Sequence, residues 1–115
     1  LSVNQRPKNI FDKLIADRSQ EVFDILEESN SIKIERIVSF GQKSPSDFWY
    51  DQEESEWVIV LEGYAELEFE GGEIHKLGKG DYINIPARQK HRVIHTSPEE
   101  KTIWLAVFYK SEYEQ

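Results

Sequence analysis

The sequence predicts an all-β protein, a small antiparallel β-barrel or jelly roll, carrying a short helical extension at its N-terminus. Three observations predict it. From Ser31 onward apolar residues recur with a period of two, the spacing of a strand with one face buried. Turn residues cut that stretch into about eight short strands with no helical pattern between them. Before residue 30 the apolar spacing is helical instead.

Taken in order, residues 1–9 are polar and Pro7 opposes helix. Residues 10–16 place Phe11, Leu14 and Ile15 at helical spacing. Ser19 is placed to cap a second helix, with Glu21 adding favourable charge in its first turn. Val22, Phe23 and Leu26 form its apolar stripe, and it ends near Ser29 and Asn30. This helical preface is expected to cover one mouth or side of the barrel. The strands follow. Ile32, Ile34, Val38 and Phe40 alternate with Lys33, Glu35, Ile37 and Ser39, and Arg36 shares the Ile34 face. Residues 41–47 are a loop by composition, 48–52 and 56–62 are strands separated by an acidic turn, and Ala65, Leu67 and Phe69 share a face. Gly71-Gly72 is a two-residue hairpin turn. Strands at 73–77, 82–85, 91–96 and 102–110 complete the set. The only break in pattern lies near residue 30, so the chain divides into a helical extension, 1–30, and a barrel, 31–115, within one domain.

Composition narrows the function. The net charge is −8, from 14 Lys+Arg against 22 Asp+Glu, which disfavours nonspecific binding to nucleic acid or to an anionic membrane. With no cysteine there is no disulfide, thiolate metal site or cysteine nucleophile. No apolar run approaches the ~20 residues of a membrane span, and the first ten residues do not read as a signal peptide. A soluble, cytoplasmic protein is expected.

Polar residues at inward parity mark the candidate site. Tyr50, Gln52, Glu56, Val58 and Val60 share one parity, and His91, Val93 and His95 share another. A carboxylate two residues from a buried valine is costly in a dry core unless something pairs with it. A carboxylate, an amide and one or two imidazoles converging inside a β structure suggest a metal or small-ligand site. The plainer alternative pairs Glu56 with Arg36, or hydrogen-bonds it to Tyr50 and Gln52, and makes His91 a satisfied core histidine. His75 is expected to be exposed, Trp57 and Trp104 to pack, and Asp51, Glu53 and Glu54 to form a solvated turn.

Glu56 followed seven positions later by Gly63, in EWVIVLEG, resembles the second half of the first cupin motif. Gly80, Pro86 and His91, in GDYINIPARQKH, resemble the second motif. The resemblance runs from Phe40 to Phe108 and is to small single-domain bacterial cupins of undefined activity. It implies a metal site. In metal-binding cupins an HxH pair precedes the glutamate, and here no histidine stands there. With a three-residue gap the pair falls on Tyr50 and Gln52, and with a four-residue gap on Trp49 and Asp51. The resemblance therefore implies Glu56 and His91 as ligands, with Gln52 preferred from the first motif, Asp51 as the alternative, and His95 filling the set if its ring points inward. Such an N/O set suits Fe, Mn, Ni or Zn. Three readings of function stay open. One is a metal-dependent lyase, isomerase or oxygenase acting on a small polar molecule, with Tyr50 and Glu56 as candidate catalytic groups. Another is a small-molecule-binding or sensing barrel without turnover. The third is a structural dimer whose pocket is vestigial. A homodimer is expected, formed through the strand at 31–40 or the apolar strand at 102–110.

Overall fold

The computed structural model describes residues 6–110. Among them are eight strands: β1 (Val22–Glu28), β2 (Ile32–Ser39), β3 (Ser55–Glu62), β4 (Ala65–Phe69), β5 (Ile74–Leu77), β6 (Tyr82–Ile85), β7 (His91–Thr96) and β8 (Thr102–Tyr109). They form a five-stranded sheet in the order β1-β2-β8-β3-β6 and a three-stranded sheet in the order β5-β4-β7. Every pairing is antiparallel. The core lies between the sheets. Val58, Val60, Ile85, Trp104 and Ala106 come from the larger, and Ala65, Leu67, Phe69 and Leu77 from the smaller.

No helix forms among the described residues, which corrects the expectation for residues 10–30. Residues 22–28 are an edge strand whose register runs from Val22 opposite Val38 to Glu28 opposite Lys33. Seven residues with apolar side chains at 22, 23, 25 and 26 satisfy either period, and pairing with β2 decides between them. Ser19 caps nothing: its amide and hydroxyl both donate to the Asp17 carboxylate, at 2.8 and 2.7 Å. Those two bonds hold the Asp17 pKa below its usual range. Residues 10–13 form a turn, in which the Asn9 side chain accepts from the Phe11 amide at 2.8 Å. The segment still covers a side of the sandwich. The Arg36 guanidinium reaches the carbonyls of Ile10 and Asp12, at 2.8 and 2.9 Å, and Gln42 donates to the Asp17 carbonyl at 2.8 Å.

The strand expected at 48–52 is reduced to a single bridge between Tyr50 and His91. Its place in the set of eight is taken by β1. The strands expected to offer a dimer edge both lie inside the sheet, β2 between β1 and β8, and β8 between β2 and β3. The edges of the larger sheet are β1 and β6. With five strands facing three, part of the larger sheet has no cover: Phe23 and Ile25 of β1 remain 50% and 55% exposed.

The turns explain the glycines that matter. Gly63, at φ +95°, links β3 to β4 so tightly that a Cβ there would stand 2.6 Å from the Thr102 Cα. The Thr102 hydroxyl bridges the amide and carbonyl of Tyr64, 3.2 Å from each.

Candidate functional site

A cavity of about 380 Å³ opens between the two sheets. On the larger sheet its wall follows the register. Lys33, Phe108, Glu56 and Ile85 stand in one row across β2, β8, β3 and β6, and Glu35, Ala106, Val58 and Ile83 stand in the next. On the smaller sheet Leu67, Val93 and His91 face it.

Glu56 is the second residue of β3 and is 9% exposed; His91 opens β7 and is 4% exposed. The His91 Nδ1 lies 2.9 Å from the Gln89 carbonyl, so this nitrogen carries the proton in the neutral ring and Nε2 carries the lone pair. That Nε2 stands 3.5 Å from Glu56 Oε1. Gln52 donates its side-chain amide to the same Glu56 oxygen at 3.1 Å. The segment bearing Gln52 is held by backbone bonds: Tyr50 and His91 exchange amide and carbonyl at 2.8 and 3.1 Å, and the Arg88 amide donates to the Gln52 carbonyl at 2.8 Å. Tyr50 stacks on His91, with ring centroids 5.5 Å apart and planes at 24°.

Electrostatics follow from this packing. For His91, burial opposes the charged ring, but the Glu56 carboxylate and the Gln89 carbonyl outweigh it, and its pKa is raised. Burial raises the Tyr50 pKa as well, with Glu21, Glu56 and Glu35 adding to the effect, so its hydroxyl is a donor at neutral pH. Burial likewise raises the pKa of Glu35, against the pull of Lys33.

The structure thus brings together Gln52, Glu56 and His91, with Tyr50 beside them. It does not bring His95. Opposite Glu66 and Leu67 stand His95 and Val93, so Ile94 is an extra residue in the ladder. That bulge breaks the alternation that would carry His95 inward. Its ring is exposed and meets Tyr64 edge-on at 6.0 Å. Asp51 is also turned away, its carboxylate 3.3 Å from the Arg88 guanidinium. Arg36, the plainer partner for Glu56, pairs with Asp24 on the opposite face at 2.9 Å.

Sequence reasoning missed a second set of groups. Glu21, Lys33 and Glu35 line the cavity. Glu21 is fixed by a relay from the interior, in which Trp104 Nε1 donates to the Ser39 hydroxyl at 3.0 Å and that hydroxyl donates to Glu21 at 2.7 Å. On β2 the Lys33–Glu35–Ile37 parity reads as the solvent side, yet both faces of the strand are used. The isoleucine parity lies under the N-terminal segment and the mixed parity faces the cavity. The signal was Ser39, a small hydroxyl on the mixed parity that is fully buried.

The donors at Glu56 and His91 suit a shared cation. Two ligands each about 2.1 Å from one ion, at roughly 90–110°, lie about 3.0–3.4 Å apart, close to the 3.5 Å observed between Oε1 and Nε2. The bond from Nδ1 to the Gln89 carbonyl is the kind of outer contact that orients a ligating imidazole. Among the described residues no three His, Cys, Asp or Glu side chains gather as a metal-ligating group; the further polar group beside the pair is the Gln52 amide, which donates to Glu56.

Residues 37–108 match the family described as a cupin domain. The chain is similar to a crystal structure from Ralstonia eutropha of a protein provisionally named a mannose-6-phosphate isomerase. The two are 40% identical over 92% of this chain and 99% of that one, with a TM-score of 0.87. Two further crystal structures share the fold. A cupin superfamily protein from Desulfitobacterium hafniense is 17% identical over 93% of each chain, with a TM-score of 0.76. A protein of unknown function from Streptococcus pyogenes is 19% identical over 94% of this chain and 90% of its own, with a TM-score of 0.75. No curated protein matches the chain. The motifs at Glu56–Gly63 and Gly80–His91, two antiparallel sheets and a match over most of the sequence lead to one assignment: this chain belongs to the cupin family.

Proposed function

We propose that the protein binds a divalent metal ion and a small polar molecule in the cavity between its sheets. Glu56, His91 and Gln52 hold the ion. The observation that carries this reading is the pair of buried donors, Glu56 Oε1 and the lone-pair nitrogen of His91, 3.5 Å apart on facing sheets. Three protein donors would leave coordination positions for other ligands, and a metal held there would polarise a bound oxygen or lower the pKa of bound water.

The chain's own groups favour proton-transfer chemistry, of the isomerase or lyase kind, over the other expected classes. Tyr50 keeps its hydroxyl proton and can donate it as a hydrogen bond to a substrate oxygen. His91, when no metal occupies Nε2, exchanges a proton there with Glu56 beside it. The walls formed by Val58, Leu67, Ile85 and Val93 exclude water from the reacting atoms. A non-catalytic binding module is the second reading, favoured by Tyr50 and Gln52 standing where metal-dependent relatives carry histidines.

Elemental analysis tests the metal. Protein purified without chelator is expected to retain Fe, Mn, Ni or Zn, and His91→Ala and Glu56→Gln are expected to lose most of it. Wild-type metal content in both variants would remove these residues from the site. Wild-type protein that takes up none of the four ions would leave the metal-free binding module.

A further inference from the structure

The cavity has a second wall that the metal reading does not use. Among the described residues four carboxylates line it, Glu21, Glu35, Glu54 and Glu56, against a single ammonium, that of Lys33. Lys33 is itself engaged, its Nζ 4.7 Å over the Phe108 ring. Two of the carboxylates have partners from within the chain: Glu21 takes the Ser39 hydroxyl, and Glu56 takes Gln52 and His91. Glu35 makes no hydrogen bond or ion pair with another described residue; it is 9% exposed, its oxygens open onto the cavity, and Lys33, two residues before it on the same strand face, attracts it without contact.

The register explains why. Its neighbour across the sheet is Ala106, fully buried, and beyond that stands Val58. Both side chains are too short and too apolar to meet a carboxylate. The residues flanking Ala106 on the cavity side of β8 are Trp104 and Phe108. The part of the cavity over Ala106 is therefore bounded by two aromatic side chains and a carboxylate with no hydrogen-bond or ion-pair partner among the described residues. A carboxylate held in a mostly buried position, with its oxygens open to the cavity and no direct partner, is a ready acceptor for a cation brought in by the ligand. Aromatic side chains around the same hollow favour a cation further.

We propose that Glu35 is the specificity-determining residue of this cavity and that it receives a protonated amine of the small-molecule ligand. This rests on the reading of the cavity as a small-ligand site. It goes further by fixing the ligand's class as an ammonium-bearing molecule and by excluding phosphorylated sugars. A dianionic phosphate would have to enter among four carboxylates, with Lys33 the only ammonium among the described lining residues to receive it. The resemblance to the Ralstonia structure thus does not carry over the phosphate-bearing compound in that protein's name.

Calorimetric titration of the metal-loaded protein at pH 7 in moderate salt tests the proposal. The probes are glucosamine, ethanolamine and cadaverine, their neutral counterparts glucose, ethylene glycol and pentanediol, and mannose 6-phosphate. At least one amine is expected to bind saturably, ten-fold or more tighter than both its neutral counterpart and mannose 6-phosphate. Glu35→Gln is expected to cut that preference below two-fold. It is also expected to raise the melting midpoint of the ligand-free protein by about 3 °C, because a carboxylate without a partner is removed. Lys33→Ala supplies an independent arm and is expected to tighten amine binding about three-fold by removing the competing ammonium. The proposal is overturned if mannose 6-phosphate binds as tightly as the best amine, or if no amine binds. It is equally overturned if the amine preference survives Glu35→Gln, or if that variant melts lower than wild type. Metal content measured on the same samples separates the two readings: retained metal without amine preference overturns the role of Glu35 alone, whereas absent metal overturns the ion site.

Discussion

Arg36 meets Asp24 across the β1–β2 ladder at 2.9 Å, and the same guanidinium gathers the carbonyls of Ile10 and Asp12. One buried side chain thereby fastens both the edge strand and the turn before it. Arg36→Met keeps the bulk and removes these bonds. Hydrogen bonds to a charged group contribute about 1.5–3 kcal/mol, and a loss of about 2 kcal/mol is expected in urea denaturation. Hydrogen exchange should show the lost protection in residues 22–28. Equal loss across β3 and β8 would mean that Arg36 supports the whole sandwich and not its edge.

Gly63 is the position least able to change. Its φ of +95° disfavours any L side chain, and a Cβ would press on the Thr102 Cα at 2.6 Å and the Lys101 carbonyl at 2.8 Å. Gly63→Ala is expected to cost more than about 3 kcal/mol, through strain and overpacking together. Thermal melting of Gly63→Ala beside Gly71→Ala checks this, since nothing lies within 4 Å of a Cβ at Gly71. Equal losses at the two positions would show that φ alone sets the cost.

The raised pKa of His91 gives the metal-free protein a defined pH response. A histidine whose pKa is higher folded than unfolded adds stability that is fully present below the unfolded value, near 6.5, and is lost as pH rises through the folded value. In chelator, the denaturation midpoint is therefore expected to be higher at pH 6 than at pH 8, and His91→Gln should narrow the gap. Added metal acts in the opposite sense, because it binds only the neutral ring. A midpoint that rises from pH 6 to pH 8 in chelator would contradict the Glu56–His91 pairing.

His95→Ala separates the two candidate histidines. With its ring outside the sandwich, its loss is expected to leave metal content at the wild-type level and to change stability by less than about 0.5 kcal/mol. A drop in metal comparable to that of His91→Ala would place His95 in the cavity after all.

The fold was legible in the sequence where one strand face is buried and the other is not. Strands with one buried face, such as β3 and β4, declare themselves by alternation, and the spacing from Glu56 to Gly63 and from Gly80 to His91 pointed to the cupin family. Two kinds of information were hidden. The state of residues 22–28 depends on a partner strand, because Val22, Phe23, Ile25 and Leu26 satisfy both periods. The direction of His95 depends on one inserted residue, Ile94, whose bulge no composition announces. Glu35 escaped for a related reason. On a strand with both faces covered, parity does not tell which face is the interior.

The uncovered stretch of β1 has a colloidal consequence. A free strand edge beside half-exposed Phe23 and Ile25 is a template for a second chain, yet the same strand ends in Glu27 and Glu28 on a molecule of net charge −8. These acids repel an approaching copy, and that guard is only as long as the screening distance, about 10 Å at 0.1 M salt and about 3 Å at 1 M. Self-association through this edge is therefore expected to strengthen as salt is raised, the reverse of an assembly held by ion pairs. Sedimentation velocity across that salt range reads it directly, with Phe23→Asp expected to keep the chain monomeric throughout.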